Sequence, residues 1–378
     1  MLKGRRVAAF DITMKDFLAC LPNVFVVHDD YQIVINLKEP GICRLRIGNR
    51  DVYEPGYGVY RTERKVHKFT FPQKILDTAC SYTVFFRGVT ERKAYFSVTD
   101  EQEEAETFAF HPITKEDDIR AVYIADVHGN YSPNNYPAAE RAVAAFGEVD
   151  FYIVNGDIGE IETEQMLVEI NAFIGRISRG EKPVIIGRGN HDTRGKLAEQ
   201  LPDHIATDGE KTYFNFTLGP IGGLVLDCGE DKLDNNVEYG GVNCFEPYRA
   251  AEARDLTRMK MPDAKYTMAI SHVAFMTNTA MHGVFDIMPA TYEIFGRALN
   301  RMNPDFFIAG HSHRFEFYPA DYAGSKIPHR YPVIVGSRLD KDGYACTGLV
   351  LRDSSVTFTH LLGDGSQLDT FGIPRRGH

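Results

Sequence analysis

Tryptophan is absent from this 378-residue chain, no segment holds 18 uninterrupted apolar residues, no Cys-x-x-Cys pair occurs, and no long Lys/Arg run appears. The missing tryptophan decides nothing. The missing apolar run excludes a membrane-spanning helix, and Met1 to Val27 lacks the continuous apolar stretch and small-residue cleavage site of a secretion signal, so the expected location is the cytoplasm. Six cysteines lie scattered at 20, 43, 80, 228, 244 and 346, which fits buried free thiols rather than a zinc ribbon or a redox pair. With 42 Lys and Arg against 52 Asp and Glu, the net charge of -10 gives no strong signal for gripping nucleic-acid phosphates, though a local basic pocket is allowed. The acidic stretch Asp100 to Glu106 reads as a solvated loop or edge.

What is present is enough apolar residue for a sizeable core, 43% against 25% charged, over a length that favours two domains or one enlarged one. From Asn23 to about Ile113 come short alternating runs such as those opening at Val24, Gln32, Cys43 and Tyr82, separated by Gly, Pro, Asn or Asp. They predict antiparallel strands in a β-sandwich-like domain over 1–115, with a β-rich extension of the main sheet as the alternative. After the proline and charges of 111–118, near-continuous apolar runs alternate with helical stretches at 138–146, 163–179, 246–260 and 290–302. That alternation predicts βαβ units and a sheet core flanked by helices over 119–365, leaving 366–378 as a polar tail.

Chemistry-bearing residues fall just after the apolar runs. In order they are Asp126-Val-His128, Gly156-Asp157, Gly189-Asn190-His191-Asp192, Ser271-His272 and Gly310-His311-Ser-His313. Singly, His272 reads as a satisfied core histidine, and Asn190 or Asp157 as a turn or cap residue. Together they read as one site. Open α/β sheets bind ligands at the carboxyl ends of their strands, and turn chemistry gives no reason to repeat histidine.

This ordered set resembles the calcineurin-like metallophosphoesterases over roughly Ile119 to Leu362. The resemblance implies an αββα core and hydrolysis of a small phosphorylated substrate by a metal-bound hydroxide. It implies two divalent or trivalent transition-metal ions (Fe, Mn or Zn), one held by Asp126, His128 and His313, the other by Asn190, His272 and His311, with Asp157 between them. Mixed imidazole and carboxylate ligands suit those metals. His191 would face the leaving group, with Asp192 orienting its ring. Arg188, Arg194 and His282 stand near enough in sequence to be substrate contacts.

The β-rich stretch ahead of the core is similar to the layout of purple acid phosphatases, but the core departs from theirs. Glu160 stands where their tyrosinate ligand would be, and Asp126-Val-His128 replaces their Asp-x-Gly. The segment from Asp227 to Lys232 through Tyr239 to Gly241 looks like an insertion seen in bacterial relatives of unassigned substrate. A phosphodiesterase is favoured, because Gly-Asn-His-Asp with Asp-x-His resembles the class that includes cyclic-nucleotide phosphodiesterases. A phosphomonoesterase acting on a small metabolite or phosphoprotein shares every motif. The remote alternative is a non-catalytic protein-binding scaffold, whose signature would be lost ligand residues. Substrate identity and oligomeric state have no signature in the sequence.

Overall fold

A computed structural model of the chain describes residues 14–54, 56–129, 135–277, 284–339 and 343–375. Its centre is a pair of facing sheets, and the strand pattern explains why they face. In the strands Ile221–Leu226, Tyr266–Ser271, Phe306–Ala309 and Val333–Val335, alternate residues enter two different cores. Val225, Met268, Ile270, Phe306, Ile308 and Ile334 pack toward the other sheet. Leu224, Leu226, Ala269, Phe307, Val333 and Val335 pack instead with Leu256, Tyr292, Phe295 and Leu299 of the helices Phe245–Leu256 and Pro289–Met302. A strand buried on both faces has no polar side, which is why these runs read as continuously apolar.

The six-stranded sheet orders as Phe214–Leu218, Ile221–Leu226, Tyr266–Ser271, Phe306–Ala309, Val333–Val335 and Glu316–Tyr318, with the middle four parallel. The opposing sheet has nine strands. Its parallel centre is Ile119–Ile124, Phe151–Asn155, Pro183–Gly187 and Asn23–Val27, flanked by antiparallel strands on both sides. The helix Glu164–Ser178 lies against this sheet, started by the Thr163 hydroxyl accepting from the Met166 amide at 3.1 Å and stopped at Arg179 in left-handed conformation. The layers therefore run helices, sheet, sheet, helices, the αββα arrangement of the sequence reading.

The strands expected within 1–115 divide between two sheets. Asn23–Val27, Asp30–Asn36 and Val66–Pro72 continue the nine-stranded sheet, so the extension alternative describes them. Gly41–Ile47, Arg50–Val52, Ser81–Glu91, Val98–Thr99 and Glu104–Ala109 form a small antiparallel sheet of their own. The helix Gln73–Ala79 interrupts what read as strands alone. The stretch read as a polar tail also needs correction, because Gln367–Pro374 is the edge strand beside Ser355–Leu362. Phe371 stacks on Phe358 with ring centres 5.2 Å apart, and Ile373 is buried, so an apolar period of two holds the segment down despite its polar composition. No described helix is long and apolar enough to cross a membrane.

Candidate metal centre

Five parallel strands deliver the candidate ligands. Asp126 lies two residues past Ile119–Ile124, Asp157 two past Phe151–Asn155, Asn190 three past Pro183–Gly187, His272 one past Tyr266–Ser271 and His311 two past Phe306–Ala309. Because both sheets send their carboxyl ends to the same edge, the five loops meet there. The loops are tightly folded. Asp126, His128, Asp157, His311 and His313 all have φ between 51° and 70°, the left-handed region that costs a non-glycine residue energy and recurs at functional sites. Gly310 makes the close approach possible, since a methyl there would stand 2.5 Å from Asp126 Oδ2.

Asp126, His128 and His313 bring one potential ligand atom each within 4.8 Å of one another, as do Asp157, His272 and His311, and a third such group joins His128, Asp157 and His191. Asp157 therefore sits between the clusters. Asn190 joins the second, its Oδ1 lying 2.9 Å from His311 Nδ1. The seven residues named as metal ligands thus come together. Asp126, Asp157, Asn190 and His272 are each no more than 1% exposed.

The ring tautomers are set from behind. His272 Nδ1 lies 2.8 Å from the Asn155 carbonyl, an acceptor only, so Nδ1 carries the proton and Nε2 turns to the carboxylates. His272 Nε2 is 3.1 Å from Asp157 Oδ2 and 3.8 Å from Asp126 Oδ1, buried, and makes no hydrogen bond. His128 Nδ1 is held likewise by Glu160 Oε2 at 2.7 Å, which sends its Nε2 to within 2.8 Å of His313 Nε2. Two imidazole nitrogens aimed at each other beside the buried Asp126 carboxylate could hold a cation. This donor set, with an orphaned buried nitrogen, fits two transition-metal ions.

Electrostatics agree with that geometry. Burial works to raise the Asp126 carboxyl, but His272, His128 and His313 outweigh it and hold it well below the usual range. Asp157 is similarly brought down to about 2 against its burial, chiefly by His272. In turn Asp157 and Asp126 overcome the burial of His272 and push that ring up to about 10. Carboxylates and histidines thus stabilise each other's charged forms.

His191 meets His128 edge to face with ring centres 4.6 Å apart, at the rim of the cluster. Burial, with Arg194 and His128 alongside, holds its pKa below the ordinary histidine value. The expectation that Asp192 orients this ring is corrected. The Asp192 carboxylate turns inward and accepts from the backbone amides of Gly189, Asp157 and Gly159 at 2.8, 2.8 and 2.9 Å, tying two ligand loops together. The groups that reach the ring are Glu160 Oε1, 3.2 Å from Nδ1, and Arg194 Nη1, which donates at 3.1 Å to Nε2. In the sequence Glu160 stands out only as the residue in place of a tyrosinate ligand. Its place three residues past Asp157 was the available signal.

Of the substrate candidates, Arg194 lies at the site but is gripped by the fully buried Glu230 through Nε and Nη2, both at 2.8 Å. Nothing in the sequence singled out Glu230. Arg188 pairs with Asp227 at 2.6 Å, over the rings of Phe245 and Tyr248. His282 lies outside the described residues.

The family described as calcineurin-like phosphoesterase matches residues 119–315, which carry all seven candidate ligands. Among curated proteins, none matches the chain. Among solved structures the chain is similar to a purple acid phosphatase, PPD1, from yellow lupin (Lupinus luteus) seeds, at 13% identity and a TM-score of 0.60, covering 95% of this chain and 74% of that one. It is similar also to the structure of PhoD, at 10% identity and a TM-score of 0.54, covering 97% and 92%. At such identities these likenesses concern the fold.

Proposed function

The chain belongs to the calcineurin-like phosphoesterase family, and from that premise we propose that it is a dinuclear phosphodiesterase. The observation that carries the reading is the meeting of two buried imidazole and carboxylate clusters at Asp157. Asp126, His128 and His313 would hold one Fe, Mn or Zn ion, and Asn190, His272 and His311 the other, with Asp157 shared. When bound, the ions supply an activated water and neutralise charge on the phosphoryl oxygens.

The chain's own residues do the rest. Asn155 and Glu160 fix the tautomers of His272 and His128, and Asp192 fixes the loops. His191 faces the leaving group as its general acid. Glu160 Oε1, 3.2 Å from its Nδ1, favours the protonated ring that a general acid needs. A diester is favoured over a monoester by charge. Both arginines flanking the motif are already paired, Arg194 with Glu230 and Arg188 with Asp227, so neither guanidinium is uncommitted for the second charge of a monoester dianion. The free thiols of all six cysteines support a cytoplasmic setting for this activity.

The test compares Mn-loaded protein on bis-p-nitrophenyl phosphate and p-nitrophenyl phosphate. The diester should have the higher kcat/KM, and a monoester preference would reverse the assignment. His191→Ala should cost on the order of a hundredfold on an alkyl diester and far less on the nitrophenyl ester, whose phenolate leaves unaided. Equal losses on both would remove the general-acid role.

A further inference from the structure

The loop bearing His191 forms one wall of a cavity of about 620 Å3 that no candidate metal ligand lines. Thr193 and Arg194 line it, and Arg194 Nη1 is 3.1 Å from His191 Nε2, so one guanidinium borders both the cavity and the ring proposed above to face the leaving group. Its outer side is Tyr239, Val242, Phe245 and Tyr248, in and directly after the stretch that the sequence marks as an insertion.

The rings of this wall are set in advance. Phe245 and Tyr248 stand edge to face, 6.4 Å apart at 88°, with the anchored Arg188 guanidinium over both. Tyr239 is fixed by its hydroxyl, which donates to Glu230 at 3.0 Å. Phe245 and Tyr248 are only partly buried, so part of their apolar surface is left to the cavity. Charge narrows the occupant further. Arg188, Arg194 and Lys196 are matched by Glu199, Glu230 and Glu238, so the lining carries no excess positive charge for a second phosphate.

We propose that this cavity is the leaving-group subsite and takes a neutral leaving group bearing an aromatic or heteroaromatic ring, a proposal that rests on the phosphoesterase reading above. Aromatic surface set face or edge against a ring gains beyond simple burial, and a pocket of this kind discriminates by about tenfold or more.

The test uses the Mn-loaded full chain with 2-phenylethyl methyl phosphate and propyl methyl phosphate, following release of the larger alcohol. The two alcohols are of similar basicity, so the ring is the difference. The ring-bearing ester should show kcat/KM about tenfold higher or more, and Phe245→Ala should bring the ratio toward one. Val242→Trp, at a position 84% exposed and therefore tolerant in folding, should lower the ratio by filling the mouth. Ligand-observed NMR with metal-free protein should show 2-phenylethanol bound, propanol not, and the binding weakened in Val242→Trp. Hydrolysis of both esters at equal rates overturns the subsite and leaves the phosphoesterase reading standing. Ring-alcohol binding without hydrolysis of either ester upholds the cavity's ligand class and overturns that reading. Absence of ring-alcohol binding, or a preference for an ester whose leaving group carries a further phosphate, overturns the proposal.

Discussion

Replacing Glu160 with glutamine keeps the side chain's shape and removes one of its two acceptors. The wild-type carboxylate serves two rings at once, Oε2 at 2.7 Å from His128 Nδ1 and Oε1 at 3.2 Å from His191 Nδ1. A glutamine must choose. With its oxygen on His128 it presents an amide donor to His191, and with its oxygen on His191 it sets a donor against the His128 N–H and turns that ring away from His313 and Asp126. A charge-assisted hydrogen bond contributes about 1.5–3 kcal/mol. Glu160 is 45% exposed at its side chain, so water takes over part of the lost interaction and the lower end applies. About 1.4 kcal/mol corresponds to a tenfold loss of metal affinity, at the weak end of the range seen when carboxylates behind metal-binding histidines are removed. Mn titration of metal-free protein against a competing chelator should show the tenfold loss at one site of two. The site of His272 and His311 should change less than twofold, because Asn155 orients His272 independently. Two unchanged affinities would show that Glu160 does not set the His128 ring, and the account of the tautomers would fall with it.

Three further outcomes are expected. Asp157→Asn should leave less than one ion per chain by elemental analysis and remove more turnover than Asn190→Ala or His313→Ala, because it weakens both clusters. Near-normal metal content would disprove the shared position. Gly310→Ala, whose methyl would stand 2.5 Å from Asp126 Oδ2 and 2.8 Å from the Ala125 side chain, should lower both the melting temperature and the metal content, and a variant unaltered in both would contradict the close packing of that loop. Burial, with Asp192 nearby, pushes the Glu162 carboxyl up to about 8, and neither of its oxygens has a hydrogen-bond partner. A carboxyl whose folded pKa is raised contributes stability that is complete below its unfolded pKa and lost as pH rises through the folded one. That loss is on the order of 1 kcal/mol per pH unit between about pH 4.5 and 8. Glu162→Gln should therefore gain in melting temperature relative to wild type as pH rises from 5 to 8.5, and parallel profiles would refute it.

The catalytic layers were legible because their strands are apolar on both faces and their helices are not, so the alternation of runs records the αββα order directly. The helices read at 163–179 and 290–302 lie within a residue of Glu164–Ser178 and Pro289–Met302. The amino-terminal strands were harder for a physical reason. Short alternating runs look alike whether they join a neighbouring sheet or make their own, and Asn23–Val27 pairs with Pro183–Gly187 across a separation that no local pattern reports. Its burial along the whole length, Val24 to Val27, is the trace of a central strand that the alternating reading passed over. Asp192 misled through adjacency. Neighbours in a single helical turn point in different directions, so the carboxylate beside His191 in sequence turned to the loop amides, while Glu160, 31 positions earlier, reached the ring.

The left-handed backbone at five of the seven candidate ligands bears on how the centre is held. Each such residue costs about 1–3 kcal/mol, so the five together approach the whole margin of stability of a typical domain, about 5–15 kcal/mol. Loops alone would relax out of that state. What holds them is a set of bonds directed back to the scaffold. Asp192 gathers three amides, the His311 amide donates to Asp126 at 3.0 Å, and the His191 amide donates to Asp157 Oδ1 at 2.8 Å. Asp157 accepts its amide with Oδ1 and faces His272 and His128 with Oδ2, while Asp126 takes the His311 amide on both oxygens and faces the histidines with Oδ1. The charge that would bind cations is thus the same charge that fixes the loops, and the strands behind them are among the most deeply buried in the protein. Bonds of this kind tie the shape of the centre to the fold, in contrast to small domains that fold only around their metal. Its ligand geometry should accordingly be a property of the two sheets, with the loops beyond them, such as the wall of aromatic rings beside His191, left free to set which ester is accepted.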